Sequence, residues 1–134
     1  MKNNMSPNAV SNHPKIILVV EDNHHIRKLA SQILRRAGYQ VIEAANGLEA
    51  LEVQQQYETT IDLLITDLSM PVMNGVELAQ QLQVVTPELK ILYISGYTDI
   101  TTVVHDLNQD EIHLLEKPFT MTSLTQTVHQ ILTT

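Results

Sequence analysis

The chain has no cysteine and no tryptophan, and phenylalanine occurs once, as Phe119. Without cysteine there is no disulfide, no thiolate metal site and no cysteine nucleophile. Basic residues are sparse as well: eight Lys and Arg stand against fifteen Asp and Glu, a formal charge of −7. That balance argues against direct binding to a nucleic-acid backbone, which calls for a basic face. No apolar run comes near the ~18 residues that suggest a membrane span. The first fourteen residues lack the apolar core of a secretory signal. The expectation is a cytoplasmic setting with no membrane contact. What is present, 43% hydrophobic and 17% charged residues over 134 positions, is the composition of one ordinary globular domain.

Residues 1–14 are polar and without periodicity, and read as a flexible leader or linker remnant ahead of a domain spanning 15–134. Beyond them, short apolar runs alternate with helical patterns. The runs are Ile16 to Val20, Val41-Ile42, Leu63 to Ile65, Ile91 to Ile94 and Ile112 to Leu115. Their lack of polar alternation suits parallel strands covered on both faces. Ile26, Leu29, Ala30, Ile33, Leu34 and Ala37 recur at helical spacing and stop at Gly38. Leu48 to Tyr57, Val76 to Val85 and Thr122 to Leu132 show the same spacing. In Asp99 to Leu107 it is weakened by the β-branched run Thr101 to Val104. Arg35-Arg36 suit the end of the first helix, Asn46-Gly47 a turn into the second, and Gly75 the start of the third. Thr120 suits the cap of the last helix, and Met70 and Met73 the packing of the loop after Asp67. Five strands alternating with five helices predict an α/β fold: a doubly wound, five-stranded parallel sheet with helices on both faces. Only two residues follow Leu132, so no output domain is expected there.

The chemistry-bearing residues each follow a predicted strand. Glu21 and Asp22 follow the first, Asp67 ends the third, Ser95 ends the fourth and Lys117 follows the fifth. In a doubly wound sheet the carboxyl ends of the strands share one edge, where ligands bind. Any one of these residues alone is an ordinary turn or cap residue; five on one edge, with complementary charge, point to a site. Two carboxylates 4 Å apart repel by about 4 kcal/mol at an effective dielectric of 20. The cluster therefore calls for a cation, and oxygen-only ligands suit Mg²⁺ or Mn²⁺. A carboxylate nucleophile, a divalent metal, a lysine and a hydroxyl are the parts of a phosphoryl-transfer site, with Asp67 attacking phosphorus in line.

The stretches Val19-Val20-Glu21-Asp22-Asn23, Thr66 to Gly75, Ser95-Gly96-Tyr97-Thr98-Asp99 and Lys117-Pro118-Phe119 carry a resemblance. Over about residues 15–133 the chain resembles the receiver domain of two-component response regulators. The resemblance implies a flavodoxin-like strand order 2-1-3-4-5. It implies that Asp67 accepts a phosphoryl group from a phosphohistidine on a sensor histidine kinase or histidine phosphotransfer domain. Asp22, Asp67 and the main-chain carbonyl of Ser69 would ligate Mg²⁺, with Glu21 acting through water. Ser95 would be the hydroxyl switch and Lys117 the phosphate-binding lysine, on a cis Lys117–Pro118 bond. Chemistry would be confined to the domain's own phosphorylation and dephosphorylation. The output face would combine Asp99 to Leu107, the fifth strand and the last helix, with room for a phosphorylation-linked dimer.

Four positions individualise the chain. Glu21 stands where the family often has Asp. Leu114 stands three residues before Lys117, where many receivers have Tyr or Phe. Ser69 and Tyr97 occupy the two variable positions flanking the phosphorylation site. The Ser-Gly-Tyr-Thr-Asp and Lys-Pro-Phe motifs are most similar to receivers attached to hybrid sensor kinases. The rival reading is a metal-dependent phosphatase of the haloacid-dehalogenase type. That family wants a second Asp two residues after its nucleophile, where this chain has Ser69, and a cap domain for which there is no length. A non-phosphorylated interaction module and a flavin-binding relative rank lower, since the acidic set is intact and no phosphate-cradling loop follows the first strand. His24 and His25 read as exposed first-turn residues, and His105, His113 and His129 are too dispersed for a metal site.

Overall fold

A computed structural model describes residues 14–57, 59–96 and 113–134. Its elements are β1 (Ile16–Val20), α1 (His24–Arg36), β2 (Gln40–Ala44), α2 (Gly47–Gln56), β3 (Leu63–Asp67), α3 (Gly75–Val85), β4 (Lys90–Ser95), β5 (Leu114–Glu116) and α4 (Met121–Thr133). The strands form one parallel sheet in the order β2-β1-β3-β4-β5. This is the doubly wound fold and the order the resemblance implied. Residues 1–13 of the leader, the predicted helix Asp99 to Leu107 and Ile112 lie outside the described residues. Among the described residues no helix is long and apolar enough to cross a membrane.

Parallel strands buried on both faces need apolar residues in both phases of the pleat. β1 and β3 supply them, and both are buried along their whole length. Ile16, Leu18, Val20 and Leu64 pack toward α2 and α3 with Leu78 and Leu82. Ile17, Val19, Leu63 and Ile65 pack on the other face against Leu34 of α1 and Leu124 and Val128 of α4. Asp67 thus ends a central strand, flanked by β1 and β4, with an apolar layer on each side.

Caps set the boundaries that periodicity leaves open. α1 begins at His24, ahead of the first periodic residue, because the Asn23 side chain accepts from Ile26 N. It ends at Arg36 with Ala37 as its C-cap, and the next residue, Gly38, has a φ of +102°, a left-handed conformation that suits glycine. Asn74 and Glu77 form a reciprocal capping box at the start of α3, and Thr120 with Ser123 does the same for α4. α4 has no basic residue in its last turn; instead Lys90 Nζ, from the start of β4, donates to the carbonyls of Ile131 and Thr134.

Arg35 and Arg36 lie in the last turn of α1, as expected, and Arg35 also reaches β2. Glu43 receives Arg27 Nε at 3.4 Å, Lys28 Nζ at 3.2 Å and Arg35 Nη2 at 3.2 Å. Burial alone would raise the Glu43 pKa, but Lys28 and Arg35 outweigh it and hold the carboxyl below 4.5. A carboxyl depressed in the folded state stabilises above its unfolded pKa and loses that contribution as pH falls through the folded value. Glu43→Gln is therefore expected to lower the melting temperature at pH 7 by a few degrees, about 1 kcal/mol for a pairing with half-exposed cations. Thermal scans should show the gap to wild type closing between pH 5 and pH 3. A gap independent of pH would remove the carboxylate charge as its cause.

Candidate functional site

β3 delivers Asp67 to the carboxyl edge, and the loop behind it is built to hold it there. Leu68 N donates to Ile94 O, and Gly75 N returns to Leu68 O. Thr66 Oγ1 donates to Asp67 O. A Cβ on Gly75 would fall inside van der Waals contact of the Asp67 carbonyl oxygen, so only glycine lets α3 start this close to the strand. Met70 is buried beneath the loop and Met73 packs against the same core. Val72 carries the loop's remaining strain: it is 87% exposed with a φ of 73°, a left-handed conformation unfavourable for a β-branched residue.

Four of the predicted site residues converge. Lys117 Nζ donates to Asp67 Oδ2 at 2.9 Å and lies 2.7 Å from Glu21 Oε1. The lysine's backbone is tied to the same edge, since Lys117 N donates to Ser95 O at 2.8 Å; the Lys117–Pro118 bond is cis. Glu21 is 1% exposed, and its Oε2 accepts from Asn23 N at 2.9 Å. Asp22 is exposed beside them. One carboxylate oxygen from each of Glu21, Asp22 and Asp67 lies within 4.8 Å of the others. Opposite ligands of an octahedral Mg²⁺ are about 4.2 Å apart. The donor set thus matches a hard divalent cation in chemistry and nearly in span, with Asp22 open to solvent.

Electrostatics distinguish these groups. Burial raises the Glu21 pKa and the charge of Asp67 adds to this, while Lys117 and the Asn23 N–H oppose it. Burial would lower the Lys117 pKa, but hydrogen bonds and charge from Glu21 and Asp67 more than compensate, so the ammonium stays charged. The edge holds a fixed cation between two carboxylates.

Ser95 reaches the same edge, fully buried, but its Oγ donates to Gly96 O at 3.1 Å rather than to Asp67. Ser69 N donates to Asp67 Oδ1 at 3.2 Å. Leu114 sits in β5 opposite Tyr93 of β4 and packs on the α2–α3 side of the core. Tyr97 lies outside the described residues. His24 and His25 are exposed in the first turn of α1.

Four participants were not singled out from sequence for the parts they play here. Asn23 caps α1 and fixes Glu21; an Asn just before a helical pattern is a readable cap signal. Arg27 Nη1 donates to Glu21 O at 2.8 Å, four residues beyond that cap. Gly75 is read as a helix start, not as a contact with Asp67. Tyr93, buried and with its phenol pKa raised by that burial, places an aromatic ring beside Leu114 and two residues before Ser95. A groove of about 360 Å³, lined by Ile26, Leu29, Lys117, Pro118 and Phe119, opens next to the lysine. It is almost wholly apolar, and Leu29 at its rim is 49% exposed.

Residues 17–129 match the model of the response regulator receiver domain family. The response regulator receiver protein CpdR of Brucella abortus is 34% identical over 118 residues, covering 88% of this chain and 97% of that protein. The sensor kinase CckA of the same organism is 34% identical over 117 residues; the match covers 87% of this chain but 12% of that kinase. Among solved structures, the response regulator protein TrrA from Thermotoga maritima, in complex with Mg²⁺ and BeF, is 31% identical. It aligns with a TM-score of 0.74 over 88% of this chain and 99% of that one.

Proposed function

The chain belongs to the response regulator receiver family, and we propose from that premise that Asp67 is its phosphoacceptor, charged from a phosphohistidine on a histidine-kinase-type partner. The observation that carries this assignment is Lys117 Nζ held against Asp67 Oδ2 beside the buried Glu21 and the open Asp22. A receiver's chemistry is confined to its own phosphorylation and dephosphorylation, and its output is a change of shape.

An Asp67 carboxylate oxygen attacks phosphorus in line; the new O–P bond forms as the N–P bond to the donor imidazole breaks, and the imidazole leaves with the electron pair. Lys117, already charged, transfers its hydrogen bond from Asp67 to a phosphoryl oxygen. Ser95 Oγ leaves the Gly96 carbonyl and donates to another, a charge-assisted bond stronger than the one it gives up. Asp22, Asp67 and the Ser69 carbonyl would hold Mg²⁺, with Glu21 acting through water; when bound, the ion neutralises charge on the phosphoryl oxygens. TrrA, a relative with the same fold, is in complex with Mg²⁺, which supports a divalent cation of this kind here. The Ile26, Leu29 and Phe119 groove beside Lys117 is where the donor's apolar surface would seat, within reach of Asp67.

Intact-mass spectrometry after incubation with acetyl phosphate tests the reading. One phosphoryl group per chain is expected with Mg²⁺, and none when EDTA removes it. Equal labelling in EDTA would overturn the metal assignment. Sustained phosphate release from unrelated phosphate monoesters would favour the haloacid-dehalogenase-type phosphatase instead.

A further inference from the structure

We infer that a cavity at the amino end of the sheet, opposite the phosphoacceptor edge, binds a small neutral ligand bearing an amide or alcohol, and that its occupancy reaches Asp67 along α3. The cavity holds about 260 Å³. Its floor is Leu18 of β1, Leu64 of β3 and Leu82 of α3, core side chains at most 1% exposed. Ile61 and Leu89, just ahead of β3 and β4, wall it and are buried as well. Nearer the surface stand the hydroxyls of Tyr57, Thr59, Thr60 and Thr86 and the carboxamide of Gln54. An apolar floor with a few polar groups above it is the make-up of a small-molecule site. An apolar cavity of roughly 150 Å³ accommodates benzene. This one has room for a single ring with a short polar substituent, roughly ten non-hydrogen atoms.

The polar lining selects the chemistry. Among the described residues no Asp, Glu, Lys or Arg lines the cavity. At this end of the sheet Asp62 already accepts from Ile16 N, and Lys90 donates to the carbonyls of Ile131 and Thr134. An ionised ligand group would give up its hydration here with no opposite charge to replace it. A neutral carboxamide or hydroxyl instead meets groups that both donate and accept. Tyr57 is one of them, since its oxygen accepts from Gln40 Nε2 and keeps its own proton to donate. The lining comes from β1, α2, β3, α3 and the connections ahead of β3 and β4, an enclosure that suits a free small molecule better than a flat protein surface. α3 joins this cavity to the phosphoacceptor. Leu82, Val85 and Thr86, at its carboxyl end, line the cavity. Its first residue, Gly75, lies against the Asp67 carbonyl with no space for a Cβ. A helix of 11 residues, about 16 Å long, spans the two. Close-packed interiors transmit strain rather than absorb it, so a ligand that props Val85 and Thr86 outward moves the Gly75 end. The effect on phosphorylation rests on the phosphoacceptor reading above; the binding site does not.

The test is an NMR titration of the full chain with benzamide, a single ring carrying a neutral carboxamide, and with benzoate, its charged near-isostere. Benzamide should shift the methyls of Leu18, Leu64, Leu82 and Leu89 saturably, and benzoate should bind about tenfold more weakly. The Ile26 and Leu29 methyls, in the groove beside Lys117, report general apolar association and should move only at higher concentrations. Bound benzamide should also shift the amides of Gly75 and Asp67 and change the rate of labelling by acetyl phosphate about fivefold, the low end of ordinary coupling between sites. Val85→Trp, from α3, and Thr59→Trp, from the loop ahead of β3, each bring a ring to the mouth from an exposed position and should abolish both effects. Equal shifts in groove and cavity, no preference for the neutral probe, or undiminished binding to both variants would overturn the site. So would cavity methyls whose shifts follow protein concentration without any probe, which would give this face to a second copy of the chain. Cavity shifts with no response at Gly75 and Asp67 would overturn the coupling. If acetyl phosphate fails to label even the free chain, the phosphoacceptor reading falls, while the methyl shifts still decide the site.

Discussion

Asp67→Asn is expected to abolish phosphorylation by acetyl phosphate, leaving the fold intact. The amide is nearly isosteric with the carboxylate, and its single oxygen can keep one of the two hydrogen bonds that Ser69 N and Lys117 Nζ give to separate oxygens of Asp67. What it loses is the charge and nucleophilicity that attack on phosphorus requires. Lys117→Ala should act differently. It keeps the nucleophile but leaves the buried Glu21 and Asp67 without their shared cation. Loss of one group that stabilises transition-state charge commonly costs about 10² to 10³ in rate. Stopped-flow or gel-shift phosphorylation assays on both variants should therefore show complete loss for the first and a slow residual rate for the second. Undiminished labelling of Asp67→Asn would put the nucleophile elsewhere.

The second large effect is structural in origin and chemical in outcome. Gly75→Ala forces a methyl group against the carbonyl of Asp67 and the side chain of Thr66. Backbone cannot yield as a flexible side chain would, so α3 or the end of β3 must move. Overpacking of this kind costs about 1–3 kcal/mol, roughly 5–10 °C in melting temperature for a domain of this size. Because the displaced atom belongs to the phosphoacceptor, the phosphorylation rate should fall even at temperatures where the variant is fully folded. Gly47→Ala is the contrast: its Cβ would meet only the Met73 side chain, whose sulfur at 2.8 Å can rotate away while its Cβ and Cγ at 3.1 and 3.2 Å need give by a few tenths of an ångström. Melting curves and phosphorylation rates on the two variants should differ sharply. Equal, small effects would mean the α3 start has slack that the packing does not show.

These contacts also mark where sequence reading reaches its limit. Glu21, Asp22, Asp67 and Lys117 were legible because each follows an apolar run with the character of a parallel strand, and the topology of such sheets gathers strand ends. The cap at Thr120 and the helix start at Gly75 were legible for similarly local reasons. The demand on Gly75 was not, because it arises from a loop folding back over seven residues to meet the strand it left. Nor was the convergence of Arg27, Lys28 and Arg35 on Glu43, since β2 alternates weakly and offers no periodic clue to which face Glu43 takes. Ser95 could be placed at the edge from its strand, but its bond to Gly96 O depends on a rotamer that spacing does not encode. Leu114 drew attention to a missing aromatic. The parallel register shows that Tyr93, one strand over, brings a ring to the same neighbourhood.

The most direct test of the central claim is chemical location of the phosphoryl group. Borohydride reduces an aspartyl phosphate to homoserine, so wild-type protein treated with acetyl phosphate and Mg²⁺, then reduced and digested, reports the modified position by tandem mass spectrometry. Homoserine at position 67, in amounts matching the phosphoryl content before reduction, is the expected result. Homoserine at position 22, or phosphate retained on His24 or His25 with Asp67 unmodified, would contradict it.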